Sequence, residues 1–581
     1  MRTEVSIVSD VSVVATGLVI LAGLTALGIR LQHIQLRGAA QYAYDGSRQA
    51  VRRVQTAGAR GLIVDRRGRV LAENRIVSSL AVNPEQFQRR TETETEKAIA
   101  EALATASKVL ECELAVPAQH IRRHLRQVRS LPLIVRRNVD DTVVARFAEH
   151  ERELAGFTCI EELERHYPFG SLAAQVLGYV GRNLTEGDGG DERFSFREQE
   201  MRGRSGLESY YDTYLRGVSG ETRLVVDALG YTSEEEVLSA PQKGPDLKLT
   251  LDCDLQRVVE AQLAGERGAA VVLDPRSGDV LAMASSPTFD PNDCVPTVSS
   301  NLYARLTRGK DKPMLNRACA ERYAPGSVFK PVTALAGLRA GHLPEEVYEC
   351  IGAYGAAGSS IRCARRWGHG DLDVRHALRE SCNPFFCSWG VGIGMEALAA
   401  AARDLGLGAK TGLDFPDDKA GFVPSATELA HEEWSIGNIA LIAIGQGKID
   451  VTPLQMARLT AAVGTGWLVT PRLWAGVSVE RKRLPFSERD LSVVREGMRM
   501  VVDGGTGKLA GEGLAVAVSG KTGTAEVDRV AGRTKNTWFV AYAPSENPTV
   551  AVALMIENGE SGGGTAAPRV RNILKEVFGE K

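Results

Sequence analysis

The chain has almost no excess of charge of either sign: 70 Lys and Arg stand against 72 Asp and Glu in 581 residues. Such a balance leaves no basic stripe for a polyanion, so no nucleic-acid partner is expected. There is no internal repeat of solenoid or propeller length and no long low-complexity tract, which excludes array architectures and biased, unfolded tracts. Two further absences concern chemistry. The run from Asp503 to Lys508 approaches a phosphate-binding loop, but its spacing fails and Leu509 stands where a metal-binding hydroxyl is needed. Gly559, Ser561 and Gly563 fit the nucleophile-elbow spacing, yet no histidine follows Ser561, and that class of hydrolase places its base after the serine. The segment reads instead as a flexible glycine loop.

Charge is also missing from residues 11–29, where nearly every residue is apolar or small. About 20 such residues cross a bilayer core, and the run shows no polar face of the kind a surface helix would keep. A single membrane anchor over residues 11–30 is expected, after a short tail of residues 1–10. A cleaved signal peptide would need a basic leader, whereas Glu4 and Asp10 lie here. Arg30, Arg37 and Arg48 follow the run while only Arg2 precedes it, so loop charge alone favours keeping the following chain inside; long domains are exported despite such charges.

A chain of this length needs more than one core. Residues 31–245 are of mixed pattern: two short strands around a turn at Arg66–Gly68, a helix from Glu92 to Leu110, and a Gly/Asp-rich loop at 181–190. The stretch 239–245, with two prolines and a glycine, marks a boundary. Residues 246–581 open with a strand hairpin, 268–274 and 279–284, and close with strands expected at 514–519 running into 521–525, at 537–543 and at 549–557, before a helix from 567 to 578. About two hundred helix- and loop-rich residues lie between. The two ends therefore build one antiparallel sheet and the middle a helical layer beside it, an α+β arrangement.

Three short motifs occur in order: Ser327-x-x-Lys330, Ser381-x-Asn383 and Lys521-Thr522-Gly523. Each alone arises by chance in a chain this long, and Ser299-x-Asn301, Ser545-x-Asn547 and Lys410-Thr411-Gly412 are such coincidences. Context selects among them. Ser327 follows Ala324-Pro325-Gly326 and precedes an apolar helix whose Pro331 is tolerated only in the first turn. Free N–H groups and the helix dipole there favour developing negative charge. Lys330 is three residues on, hence on the same face, and a neutral amine can take a serine proton. A cation such as Lys521 nearby would lower its pKa towards that state. Lys521 follows a strand-like run, and a strand edge can hold an extended peptide. Lys410 sits in a loop, and Ser299 and Ser545 fall outside the ordered set.

The three motifs, in this order and spacing, resemble the serine penicillin-binding proteins and their β-lactamase relatives. Residues 60–68, Arg165-His166-Tyr167-Pro168, Gly206-Leu207-Glu208 and Leu215-Arg216-Gly217 resemble the N-terminal pedestal of class B members. Ile444-Gly445-Gln446-Gly447, Thr452-Pro453-Leu454-Gln455 and Ile556-Glu557-Asn558-Gly559 resemble the elongation type. The resemblance implies a transmembrane helix, a mixed α/β pedestal, and a transpeptidase domain with a five-stranded antiparallel sheet, helices on both sides and a helical subdomain. It implies a peptidoglycan D,D-transpeptidase of cell-wall elongation on the outer side of the bacterial cytoplasmic membrane. Ser327 would attack the D-Ala-D-Ala carbonyl of a stem peptide, with Lys330 as base and Ser381 relaying the proton. Asn383 would contact the substrate amide, while Lys521, Thr522, Gly523 and Thr524 would hold the terminal carboxylate. The N–H groups of Ser327 and Thr524 would form the oxyanion hole, and β-lactams would trap Ser327. Partners implied are stem peptides, β-lactams and a SEDS-family, RodA-like glycan polymerase. Alternatives are a division- or sporulation-type enzyme, a D,D-carboxypeptidase, a β-lactamase, or a penicillin sensor or polymerase activator without catalysis.

Catalysis of this kind requires no cofactor, but nine cysteines are an odd number and they cluster. Cys350, Cys363, His369 and Cys382 fall in one stretch, and three thiols with an imidazole suit tetrahedral Zn²⁺. Some elongation-type relatives with a similar pattern hold zinc there. A Cys350–Cys363 disulfide and free thiols are the other readings, with Cys387 as a substitute ligand.

Overall fold

The computed structural model describes residues 10–37, 50–127, 130–182, 195–197, 201–227, 231–356, 359–431, 434–529 and 532–580. The Gly/Asp-rich loop expected at 181–190 lies, beyond Arg182, outside the described residues. The uncharged N-terminal run forms one helix, α1 (Asp10–Gln32), with its large apolar side chains exposed along its length. At 23 residues it is long enough to cross a bilayer core, and with none of its most apolar stretch buried by the described residues, it fits a single membrane anchor.

The pedestal has two main sheets. One is built on β1 (Val51–Thr56), paired antiparallel with a strand at Gly220–Val226 that in turn pairs with Thr232–Ser239. The other is built on β2 (Val70–Val82), paired antiparallel with Leu133–Val139 and with Phe157–His166. The two strands expected around Arg66–Gly68 are therefore present, and the second runs on to Val82. On β2 packs α2 (Glu92–Val109). Its start is set by a capping box: Thr91 Oγ1 accepts from the Glu94 N–H and the Glu94 carboxylate accepts from the Thr91 N–H. Ile99, Leu103 and Ala106, four and three residues apart, form its buried stripe against Leu80 and Val82.

Between pedestal and catalytic domain the chain runs as Leu247–Lys248, parallel to Ile63–Val64. Ion pairs cross this junction from Arg67 to Asp252 at 2.8 Å and from Arg69 to Asp254 at 2.6 Å. Tyr211 of the pedestal donates to Asp414 at 2.7 Å, beside the loop of the decoy Lys410-Thr411-Gly412, where Thr411 and Gly412 donate to Asp418.

The catalytic domain opens with α3 (Cys253–Ala261) and the hairpin β3 (Gly268–Leu273) and β4 (Val280–Ser286). The chain then leaves the sheet for a largely helical region containing α4 (Lys330–Arg339), α5 (Val374–Glu380), α6 (Asn383–Asp404) and α7 (Pro453–Thr465). It returns as β5 (Ser519–Arg529), β6 (Gly532–Ala543) and β7 (Val550–Glu557), and ends on α8 (Ala567–Phe578). The sheet order is β4-β3-β7-β6-β5, antiparallel throughout, as expected. Alternate residues face opposite layers. Val272 and Leu554 join α3 and α8 on one face, while Val271 and Met555 join α7 on the other. Burial on both faces explains why β7 reads as an unbroken apolar run. The long apolar helix α6 is a core helix for the same reason, 56% of its most apolar stretch being buried. One expectation fails: residues 514–518 are not a strand, and β5 begins only at Ser519. The Lys521 motif is therefore not beyond a strand but within one, and that strand is the sheet's edge.

Candidate active site

Each motif is placed by a different local device. Ser327 lies in a single 3₁₀ turn, Gly326–Phe329, that feeds directly into α4, with Pro331 in the first turn of that helix. This turn is pressed onto the edge strand. Gly326 has φ +56°, and a Cβ there would stand 2.8 Å from the Thr524 carbonyl oxygen. A Cβ at Gly523 would stand 2.9 Å from Val328 Cγ1, so glycine on both sides allows the approach. Trp538 Nε1 donates to Ala324 O at 3.1 Å and ties the preceding loop to β6. Ser381 ends α5 in the left-handed region, φ 55° and ψ 43°, an uncommon conformation for a serine and one that turns its side chain away from the helix path. Cys382 caps α6, whose first residue is Asn383.

The three motifs converge. Lys330, fully buried, donates to Ser381 O at 2.6 Å and Asn383 Oδ1 at 2.7 Å, and its Nζ lies 3.1 Å from Ser381 Oγ. Lys521, also fully buried, donates to that same Oγ at 2.9 Å. Two acceptors of Lys330 are fixed carbonyl oxygens, so only the hydroxyl can reverse its role. With Lys521 donating into Ser381 Oγ, the hydroxyl proton of Ser381 is free to point at a neutral Lys330 amine. A proton path from one amine through a hydroxyl to the other is thereby laid out.

The electrostatics favour such neutrality. Burial lowers the Lys330 pKa to about 8, although the neighbouring Cys382, Cys387 and Cys363 oppose it. Lys521 is held well below the usual lysine range, first by burial and then by the Lys330 charge. The expectation that Lys521 lowers the Lys330 pKa is not met: removal from water lowers Lys330, and between the two amines it is the Lys330 charge that depresses Lys521.

Thr522, Gly523 and Thr524 lie along β5. Thr522 Oγ1 is 2.8 Å from Thr506 Oγ1, and Thr524 Oγ1 accepts from Gly562 N–H at 3.3 Å. The run 559–563, read from sequence as a flexible loop, is thus seated against the site, and Gly562–Ala566 is one π-helical turn whose entry Ser561 caps. Thr506 and Gly562 were missed because their only sequence signal was a failed motif. Of the decoys, Ser299 caps a helix at Ser300–Arg308, and Lys410 and Ser545 sit in loops.

Behind Ser381 is the cysteine cluster. One donor atom each from Cys350, Cys363, His369 and Cys382 lies within 4.8 Å of the others. In a tetrahedral zinc site donors stand roughly 3.8 Å apart. His369 turns Nδ1 towards Cys363 Sγ at 3.2 Å and Cys350 Sγ at 3.7 Å, while Nε2 faces Glu380 at 3.9 Å. A carboxylate behind a ligating imidazole is the usual outer support of such sites. Cys363 is held low, first by a hydrogen bond with Cys382 and further by His369, while the same bond pushes Cys382 up. All nine cysteines are free thiols, which sets aside the Cys350–Cys363 disulfide. Cys387 points elsewhere, towards Ala440 O at 3.4 Å.

A strand edge, a serine at a helix entry and two buried amines sharing a hydroxyl define a serine acyltransferase that handles extended peptides. Comparison with known proteins narrows this. Residues 268–575 match the penicillin-binding protein transpeptidase domain and residues 55–249 the penicillin-binding protein dimerisation domain. The chain belongs to the penicillin-binding proteins, as the motif order implied. It is 30% identical to the peptidoglycan D,D-transpeptidase MrdA of Acinetobacter baumannii, over 97% of this chain and 86% of that one. Penicillin-binding protein 2 of Helicobacter pylori, solved in complex with MreC, superposes with a TM-score of 0.78 at 26% identity, over 91% of this chain and 98% of that one. A chain from a peptidoglycan synthase complex that coordinates polymerization and crosslinking gives a TM-score of 0.74 at 29% identity, over 98% of this chain and 99% of that one.

Proposed function

We propose that this chain is a serine-type peptidoglycan D,D-transpeptidase of cell-wall elongation, acylated at Ser327. The observation that carries the proposal is the convergence of Lys330 and Lys521 on Ser381, with Asn383 Oδ1 accepting from Lys330, beside the Ser327 turn. A stem peptide adds to the open edge of β5, with its terminal carboxylate at Lys521, Thr522 and Thr524. Ser327 Oγ attacks the penultimate D-Ala carbonyl as neutral Lys330 takes its proton. The N–H groups of Ser327 and Thr524, brought together by Gly326 and Gly523, stabilise the oxyanion. The proton passes through Ser381 to the departing D-Ala, and an amine of a second stem resolves the ester.

Cys350, Cys363, His369 and Cys382 hold a structural Zn²⁺ in this reading. Bound there, the metal supplies rigidity rather than reaction chemistry. The chain's own contribution is to pin Cys382 between Ser381 and Asn383. Metal analysis of the purified protein would show one equivalent of zinc, lost in Cys363→Ser; a metal-free wild-type protein would sink the assignment.

In this reading the catalytic domain lies on the outer face of the cytoplasmic membrane, tethered by the anchor. The pedestal docks a SEDS-family, RodA-like polymerase, a reading supported by the likeness to a chain of a synthase complex. A groove of about 870 Å³ in the pedestal, lined by Val77, Leu133, Ile160 and Leu163 among others, is available to a scaffold protein such as the MreC bound by the H. pylori relative.

The acylation is tested with a fluorescent penicillin and peptide mass mapping of the adduct. A stable adduct on Ser327, absent from Ser327→Ala, is expected. An adduct elsewhere would overturn the assignment, and rapid turnover of the label would indicate a β-lactamase instead.

A further inference from the structure

One exposed feature near the catalytic centre has no place in the chemistry above. The loop between Cys363 and His369 carries Arg365, Arg366 and Trp367, all exposed. Trp367 is 85% exposed, and Ile351, on the segment beside it, is 72% exposed. An indole so presented is unusual on a soluble surface and marks contact sites, where tryptophan and arginine dominate binding energy. The Arg366 guanidinium lies 5.1 Å from the Trp367 ring centre, which holds the two groups as one cationic–aromatic unit. Among the described residues, neither Arg365 nor Arg366, nor the neighbouring exposed Arg362, has a carboxylate partner.

The loop is not free to wander. Gly368 N–H donates to Arg365 O at 3.1 Å and closes it as a turn. Cys363 N–H donates to Gly352 O at 2.9 Å, and the Cys363 and His369 side chains at its two ends meet in the cysteine cluster. It is also attached to the site, because Asn383 Nδ2 donates to Arg362 O at 2.9 Å. The knuckle therefore projects from the wall of the cleft formed by Ser381 and Asn383, facing solvent. The opposite wall, β5, already holds the donor carboxylate.

We propose that this Arg365–Arg366–Trp367 knuckle docks the second substrate, the acceptor strand: an anionic stem peptide still attached to its glycan. The proposal rests on the transpeptidase reading, since only an enzyme joining two peptides needs a second peptide site. One carboxylate is met inside the cleft by Lys521. The carboxylates of the other chain meet guanidinium groups, which bind them in planar, bidentate fashion, and its less polar parts lie on the indole. A β-lactam carries no acceptor and makes no use of the knuckle.

The test uses the full-length protein with Arg365→Ser, Arg366→Ser and Trp367→Ser combined, and separately with Arg365→Glu and Arg366→Glu. Fluorescent penicillin reports Ser327 acylation, and pre-formed un-cross-linked peptidoglycan reports cross-linking. The expected result is wild-type acylation with cross-linking reduced at least fivefold, through a higher KM for polymer, and a deeper loss with the glutamates. Unchanged cross-linking would overturn the proposal. A parallel fall in acylation would also overturn it, by showing that the loop only braces Ser381 and Asn383. So would a loss seen only when a glycan polymerase partner is added, which would make the knuckle a protein-docking site. Failure of wild-type acylation would instead count against the transpeptidase reading itself.

Discussion

Buried charge is handled in opposite ways in the two halves of the molecule. In the pedestal, fully buried Glu208 receives Arg60 Nε at 2.6 Å and Arg165 Nε at 2.7 Å, with Asp212 taking a second nitrogen of Arg60 at 2.8 Å. The buried cations Arg60 and Arg165 thus face Glu208 and Asp212, and Asp212 also meets the part-exposed Arg216 at 3.3 Å. Burial pushes the Glu208 carboxyl up, yet Arg165 and Arg60 together hold it below the usual range. In the catalytic domain Lys330 and Lys521 are as deeply buried, share one hydroxyl, and have hydroxyl and carbonyl oxygens rather than carboxylates as partners. Their pKa values fall instead. A matched buried cluster keeps its charges and fixes geometry; an unmatched one gives up a proton and becomes a base. Arg60, Arg165 and Glu208, all of them in pedestal motifs, thus orient the segment that carries the domain junction, while the lysines are placed to exchange a proton through Ser381.

The contrast predicts that mutations separate the two roles. Lys330→Ala should cut penicillin acylation by about a hundred- to ten-thousand-fold, the range for loss of a general base. Its thermal unfolding should change far less, because no ion pair is broken. Glu208→Gln should do the reverse. It leaves two guanidinium groups buried without their shared anion, a change that costs about 3–5 kcal/mol. Denaturant unfolding should report the loss, while each molecule still folded acylates normally. If Glu208→Gln slowed acylation and left stability intact, the division of roles argued here would be wrong.

A pH profile sharpens the same point. The base must be neutral, and the Lys330 pKa is lowered to about 8, so activity is present above that value and lost as pH falls through it. Below about pH 8 the rate of acylation should drop roughly tenfold per unit, since the neutral fraction does so. An unshifted lysine would instead place the break near 10.5. Rapid-quench acylation between pH 6 and 9.5 distinguishes them.

Much of this arrangement was legible because its signals are local. Helix α2, the strand hairpin after Gly268 and the last helix follow from propensity and turn chemistry. The candidate catalytic residues were legible as ordered motifs with suitable neighbours. What was hidden depends on distant contacts. Residues 514–518 have strand-like composition, but among the described residues they make only an isolated bridge from Leu514 to Glu580 rather than a strand ladder, so the sheet edge starts at Ser519. The glycine run after Asn558 looks loose in sequence, but it packs where a Cβ at Gly562 would lie 2.5 Å from Gly523 O. Similarly, the meeting of Cys382 with residues up to thirty-two positions earlier is a tertiary fact; the spacing suggested it without fixing His369 rather than Cys387 as the fourth donor.

The smallest effect expected is at Thr506, which no motif marks. Its Oγ1 lies 2.8 Å from Thr522 Oγ1, behind the wall assigned to the substrate carboxylate. A hydroxyl pair of this kind contributes about 0.5–1.5 kcal/mol. Here its effect is on direction more than strength: Thr506 settles whether the Thr522 hydroxyl donates inward or outward. Thr506→Val keeps the shape and removes the partner. The second-order rate of acylation should fall by about two- to tenfold, through weaker initial binding, with the maximal rate preserved because neither lysine is touched. Thr522→Val should cost more, since it removes the group that meets the carboxylate. The double variant should be no worse than Thr522→Val alone, because Thr506 reaches the substrate wall through Thr522, its other bond going to Arg379 O at 3.4 Å. Additive losses would mean that Thr506 meets the substrate itself.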